Sequence, residues 1–383
     1  MKKLNWKLSE SNFTLLDKIK ISKFILTDDF WTMGSYVKSF EDLMSDYVGV
    51  KHSVFLSSGS TANTILAYYL KDYFYTAEKN VIVFPSTTWA TSINPFLREG
   101  FVPKFIDISL SDLCMDLDKL EEYLIENSNK VCCIFYTSLL GYVPDIDRLL
   151  TIEKKYGVKI MLDNCENTFG EYKNKNVSSY FTSTTSTYFG HQLQSVEGGF
   201  IFTNYDSEYE KFLMYRNHGM TRNIPNREQY QNKDVDGQFD FYLVGNNFRN
   251  TNIHALIGSL DFKRKDLYIN KRIEIYNYFK QLMGEKLIFP NDSTEIKRNV
   301  PFSIPLIFKD IKVKNKIKSL CNELSIENRP IISGNLLRQT CYKKFDDYNN
   351  FPNSEYLHNF GFYIGLHSKV RKNQIDYLNK FIK

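Results

Sequence analysis

Asp163 closes an apolar run, Lys159–Leu162, in the segment Leu162-Asp163-Asn164-Cys165-Glu166. A carboxylate at the end of a buried strand is costly unless it meets a partner. A protonated ring nitrogen would be such a partner, and the ion pair would keep that ring a strong electron sink. Capping of a following helix has an equal claim on the same side chain. Ser57-Ser58-Gly59-Ser60-Thr61-Ala62-Asn63 lies between an apolar run and a helical pattern. Hydroxyls and backbone N–H groups at a helix start suit a phosphate, although Ser and Thr cap helices without any ligand. Pro85-Ser86-Thr87-Thr88-Trp89 follows Val81–Phe84, and Trp89 can stack on a flat ring or fill a core. Ser186-Thr187-Tyr188-Phe189-Gly190-His191 precedes Gln192 to Gly199. An imidazole there can exchange protons near neutral pH, while a lone histidine is more often a structural hydrogen-bonder. Gly245-Asn246-Asn247-Phe248-Arg249 reads as a turn entering a long helix.

These segments need a scaffold that gathers them. Val54–Leu56, Val81–Phe84, Val102–Ile106, Val131–Phe135 and Lys159–Leu162 read as buried strands. Helical patterns at Thr61–Leu70, Leu117–Ile125 and Ile146–Tyr156 alternate with them. That order predicts an α/β fold, a mostly parallel sheet covered on both faces, with ligands at the carboxyl ends of its strands. Beyond about residue 250 the pattern changes to a long helix over Ile253–Met283, a strand at Val300–Phe308, a helix at Val313–Leu324 and short strands near Ile326–Ile332 and Phe362–Ile364. The expected division is a large domain over 1–250 and a smaller α+β domain over 251–383.

The chain of 383 residues is 43% hydrophobic and 24% charged, which suits a globular protein with a sizeable core. Its net charge of +5 is dispersed, so no nucleic-acid partner is expected. Met1 to Glu10 is polar, and no apolar run approaches a membrane span, so a cytoplasmic protein without a membrane partner is expected. The six cysteines form no Cys-x-x-Cys or Cys-x-Cys pair, and no metal centre is expected.

Order and spacing together carry more than any one segment. The chain resembles the sugar-nucleotide aminotransferase and dehydratase family of fold-type I pyridoxal phosphate proteins over essentially its whole length. The resemblance rests on Thr32-Met33-Gly34 with Tyr36-Val37, on Ser57 to Asn63, and on Asp163 to Glu166. It continues through His191 with Glu197-Gly198-Gly199, His218-Gly219 with Thr221-Arg222-Asn223, and Arg329-Pro330-Ile331. It implies an aspartate aminotransferase-like fold and a homodimer with shared active sites. It further implies that Gly59, Ser60 and Ser186 hold the cofactor phosphate, Trp89 stacks on the ring, Asp163 pairs with the pyridinium nitrogen and Glu166 lies near the ring hydroxyl. Asn247 would reach the phosphate in the partner subunit's site, although Asn246 stands where the family has a tyrosine. Arg222, Arg249, Arg329 and His218 would meet substrate phosphates or polar groups.

Family aminotransferases carry a lysine six residues before Glu-Gly-Gly. Here that residue is His191, and no lysine occurs from 176 to 210. The 3-dehydratase branch, which acts on GDP-4-keto-6-deoxy-D-mannose, has histidine at this position too. The implied activity is therefore a glutamate-dependent 3-dehydratase using pyridoxal 5'-phosphate and pyridoxamine 5'-phosphate. It would remove the carbon-3 hydroxyl of a nucleotide-linked 4-keto-6-deoxy sugar, with His191 as acid and base, on the way to a dideoxysugar of surface polysaccharide. A related branch adds an iron–sulfur cluster held by a Cys-x-Cys pair. No cysteine lies between His218 and Asn252, so no cluster is expected. The alternatives are a sugar aminotransferase running without the lysine, which would keep an amine on its product, and an inactive family member with a binding role.

Overall fold

The computed structural model describes residues 3–222 and 224–382, so Asn223 of the Thr221-Arg222-Asn223 segment lies outside the described residues. Seven strands form the central sheet: β1 (His52–Leu56), β2 (Val81–Pro85), β3 (Val102–Ile106), β4 (Val131–Thr137), β5 (Lys159–Asp163), β6 (Thr182–Ser186) and β7 (Gly199–Thr203). Their spatial order is β1-β7-β6-β5-β4-β2-β3. The pairs β2–β3, β2–β4, β4–β5 and β5–β6 are parallel, whereas β7 runs antiparallel to both β1 and β6. The five strands expected from apolar runs are all present.

β6 is the instructive addition. Its sequence, Thr-Ser-Thr-Thr-Ser, lacks any apolar residue, yet all five residues are buried. Its hydroxyls find partners instead: Ser183 Oγ donates to Ser178 O (2.9 Å), Thr184 Oγ1 to Asn63 Oδ1 (2.7 Å) and Thr185 Oγ1 to Asn164 O (3.1 Å). Bonded hydroxyls can be buried at little cost, which is why an apolar-run criterion misses the strand.

The helix expected over Ile253–Met283 is two helices, Asn252–Phe262 and Lys265–Met283. The first packs on the helix Ser35–Val48 so closely that a Cβ on Gly258 would lie 2.5 Å from Phe40. The second buries Ile275, Tyr276, Phe279 and Met283 against a different core. Its first turns still pack with the first helix, Tyr268 and Ile269 lying in one cluster with Ala255 and Phe262, and the break falls at Lys263-Arg264.

That second core is built around an antiparallel sheet of β8 (Ser303–Ile307), β9 (Asn328–Arg329) and β10 (Gly361–Gly365), in the order β8-β10-β9. The segment Leu4–Leu8 joins this sheet rather than the seven-stranded one. Trp6 is 1% exposed, bridges Ile326 in parallel and donates its indole N–H to Gly365 O (2.8 Å). Among the described residues, no helix is long and apolar enough to cross a membrane, and no group of three or more His, Cys, Asp or Glu side chains could hold a metal ion.

Candidate active site

A cleft of about 640 Å³ lies between the carboxyl ends of the central strands and the three-stranded sheet. Its floor begins where β1 turns into the helix Gly59–Tyr73. Ser58 caps that helix, its Oγ accepting from Thr61 N (3.1 Å), which leaves the N–H groups at the helix start free to meet an anion. The spot is tight. A Cβ on Gly59 would lie 2.9 Å from Cys165 Sγ and 3.0 Å from Ser186 Cβ, and one on Gly199 would lie 2.4 Å from Gly59 N. The second glycine of Glu197-Gly198-Gly199 thus lets β7 pass directly behind the helix start, and Ser186, at the end of β6, stands beside it.

Asp163 lies at the centre of the cleft and is 3% exposed. Its Oδ2 accepts from Ser92 Oγ (2.6 Å) and Asn63 Nδ2 (2.9 Å), and its Oδ1 from Cys165 N (3.0 Å). Three donors satisfy the buried carboxyl and fix its direction. Trp89 stands at the cleft mouth, 58% exposed, so it is not a core residue. The half-buried carboxyl of Glu166 accepts from Leu140 N (2.8 Å). Burial pushes its pKa up to about 8 against the pull of that bond, and neighbouring Asp163 adds to the rise.

His191 Nδ1 lies 2.6 Å from Cys165 O. A carbonyl can only accept, so Nδ1 carries a hydrogen and the neutral ring keeps its lone pair on Nε2. Burial holds the imidazole below its ordinary pKa, against the opposing influence of the carbonyl bond and Asp163; Arg272 adds slightly to the lowering. Phe302 packs on the ring with centroids 5.3 Å apart. Its own backbone is held at both ends, its N–H by Leu140 O (3.0 Å) and its carbonyl by Arg272 Nη1 (2.9 Å). Gln192 Nε2 donates to Val300 O (2.6 Å), so the crossover into β8 is bound to His191's neighbour as well.

Of the residues singled out from sequence, His191, Gly59, Ser60, Trp89, Asp163, Glu166, Ser186 and Arg329 line this cleft. Asn247, His218, Arg222 and Arg249 do not line it. Asn247 is exposed and accepts from Arg249 Nε (2.9 Å); His218 is exposed too. Arg222 is half-buried, with its Nε buried and unpartnered. Sequence reasoning gave no role to Asn63, Ser92, Phe302, Ser303 or Tyr363. Asn63 carried a signal, a polar residue in the helix just past the Ser-Gly-Ser turn; the other four gave none.

The site suits a flat, phosphorylated, nitrogenous ring. It offers an anion-binding helix start that a Cβ would fill, a fixed buried carboxylate beyond it, an indole at the mouth and an imidazole with a free lone pair. Comparisons agree with this geometry. GDP-4-keto-6-deoxy-D-mannose 3-dehydratase of Yersinia pseudotuberculosis is 30% identical over 99% of this chain and 98% of its own. The E. coli GDP-4-keto-6-deoxy-D-mannose-3-dehydratase, solved with bound hydrated PLP, superposes with a TM-score of 0.89 at 28% identity, over 100% of both chains. A GDP-4-keto-6-deoxymannose-3-dehydratase with a trapped PLP-glutamate geminal diamine gives the same TM-score and identity over 99% of this chain and 100% of that one. Residues 17–383 match throughout, and the chain belongs to the DegT/DnrJ/EryC1/StrS aminotransferase family.

Proposed function

We propose that this protein is a pyridoxal phosphate- and glutamate-dependent 3-dehydratase. It removes the carbon-3 hydroxyl of a nucleotide-linked 4-keto-6-deoxy sugar, with GDP-4-keto-6-deoxy-D-mannose as the substrate its relatives' names indicate. The observation that carries this reading is the cleft's composition: His191 lines it, and among the described residues no lysine does. Without a lysine amine the cofactor is held by non-covalent contacts alone. When bound, it supplies an amine that condenses with the sugar's 4-keto group and an electron sink for carbon–oxygen cleavage.

The chain's own residues do the rest. The start of the helix Gly59–Tyr73, with Ser60 and Ser186, binds the phosphate. Asp163 holds a proton on the ring nitrogen, and Ser92 and Asn63 keep its carboxylate aimed there. His191 Nε2 accepts a proton and, as imidazolium, returns it to the departing carbon-3 hydroxyl. The bond from Nδ1 to Cys165 O keeps the right tautomer through that exchange. Glu166 supports the ring hydroxyl from its place in the cleft.

Asn247 acts in the second subunit's site of a homodimer, while His218, Arg222 and Arg249 meet substrate phosphates or polar groups; all four lie outside this chain's own cleft. Exposed apolar residues, among them Leu15, Leu16, Leu26, Phe30 and Val244, supply a surface for that association. The setting is the cytoplasm, where sugar nucleotides are made. The test is to supply L-glutamate and a GDP-linked 4-keto-6-deoxy sugar and assay ammonia and the 3-deoxy product. Retention of an amine on the sugar, or no reaction, refutes the reading.

A further inference from the structure

The wall facing Asp163 comes from the three-stranded sheet, and its register decides which side chains face the cleft. Directly paired residues on neighbouring strands point to the same side, as do residues two apart on one strand. Arg329 pairs with Tyr363, Tyr363 with Pro305, and Ser303, two residues before Pro305, with Gly365. Arg329, Tyr363 and Ser303 therefore share one face, and all three line the cleft. The other face, with Ile304, Leu306, Phe362 and Ile364, is packed into the core.

Two of these groups lack a side-chain partner. Ser303 is 2% exposed, and its Oγ is buried with no hydrogen bond. A buried hydroxyl left unpaired is destabilising unless something fills the place. Arg329 donates from Nη1 to the carbonyl of Asn328 (3.0 Å), and no carboxylate among the described residues forms an ion pair with it. We propose that Arg329, Tyr363 and Ser303 form the carboxylate pocket of the amino donor, an α-amino dicarboxylic acid, within the same subunit as His191. The proposal rests on the reading above and assigns one of its two substrates to these residues.

Charge favours a carboxylate over the sugar nucleotide's diphosphate. Glu327 and Glu197 also line the cleft, and Arg329 is the cation there among the described residues. A diphosphate would bring two or more negative charges against those carboxylates with one guanidinium to balance them. One carboxylate matches one guanidinium fork, with two hydroxyls for its remaining lone pairs. Arg222 and Arg249 remain outside this cleft for the diphosphate.

The two half-reactions separate the possibilities. In the first, enzyme loaded with pyridoxal phosphate converts L-glutamate to 2-oxoglutarate without sugar. In the second, enzyme loaded with pyridoxamine phosphate turns over the sugar nucleotide once without glutamate. Arg329→Gln should raise the glutamate KM by about tenfold or more, and by a larger factor than it raises the sugar-nucleotide KM. Arg329→Lys should recover part of the loss. Ser303→Ala and Tyr363→Phe should shift the glutamate KM in the same direction. A sugar-nucleotide KM that rises as much as the glutamate KM, or more, overturns the proposal, as does wild-type protein that leaves glutamate unchanged. Wild-type protein that runs the first half-reaction with the expected Arg329 dependence but fails the second refutes the dehydratase reading and leaves the donor pocket standing.

Discussion

Replacing His191 by asparagine separates its chemistry from its packing. The side-chain amide of the His191→Asn variant can donate to Cys165 O as the imidazole does across 2.6 Å, so the local anchor survives. What it lacks is the second nitrogen, the lone pair that takes up the proton and hands it to the leaving hydroxyl. Asparagine does not titrate near neutral pH. Lost acid–base catalysis is typically about 10²–10⁴ in rate, or roughly 3–5 kcal/mol of barrier at about 1.4 kcal/mol per tenfold. Dehydration, read as ammonia and 3-deoxy product, should fall by that factor, while binding of pyridoxamine phosphate and the thermal midpoint change little. The pH profile of the wild type carries the same signature. His191 must be neutral to accept a proton, and burial holds its pKa below the ordinary imidazole value of 6.5, so activity should persist as pH falls through that value and drop only below it. His191→Lys should instead capture the cofactor covalently and suppress deoxygenation. If His191→Asn dehydrates at the wild-type rate, the histidine is structural and the mechanism is wrong.

Asp163→Asn keeps the shape but not the charge; with Ser92 and Asn63 still in place, turnover should fall by about 10²–10³, and near-normal activity would mean that the ring nitrogen lies elsewhere. Glu166 has a folded pKa raised to about 8 from an ordinary 4.5, so the folded state holds a proton that the unfolded state has lost between those values. Its stabilising share is full below 4.5 and lost as pH rises through about 8. Glu166→Gln, which cannot ionise, should flatten the decline of thermal midpoint across that window, and an unchanged decline would show that Glu166 titrates normally. Borohydride treatment of the wild type with pyridoxal phosphate should leave no pyridoxyl group on the cleft's residues, and peptide mapping that finds a pyridoxyl-lysine there would contradict the cleft described above. Mixed Asn247→Ala and His191→Ala homodimers should regain activity once subunits exchange, since each hybrid holds one site with both residues intact; no recovery after demonstrated exchange counts against a shared site.

What could be read from sequence follows from how local each feature is. Strands β1 to β5 were legible because each carries a short apolar run that the core takes up. The positions of Asp163 and the Ser58-Gly59-Ser60 turn followed, since each stands at the end of such a strand and the topology brings strand ends together; Ser186, at the end of β6, came from the family resemblance alone. β6 was not legible, because its burial depends on hydroxyl partners such as Asn63 and Asn164, far off in sequence. The break at Lys263-Arg264 was hidden because helix propensity continues through it. Ser303 and Tyr363 sit in a strand pair whose register no local pattern announces. The tautomer of His191 depends on the carbonyl of Cys165, 26 residues away, and can be read only from coordinates.

The attachment of Leu4–Leu8 to β9 and β10 has a consequence for how the protein is made. Trp6 bonds a residue 359 positions later, and Leu8 N donates to Glu327, 319 positions later. At about 5–20 residues per second, a ribosome takes roughly 15–70 s to supply those partners. Through that interval a strand with unpaired backbone groups and a bare indole waits beside a growing large sheet that offers it no place. Contacts of such span also slow folding, because the loop must close before any of them form. The edge of the cleft at Leu8 and Ser9 therefore emerges long before its partners and is among the last stretches to take its native position. Holding factors that shield this segment during synthesis would act on the yield of active enzyme while leaving the finished site unchanged.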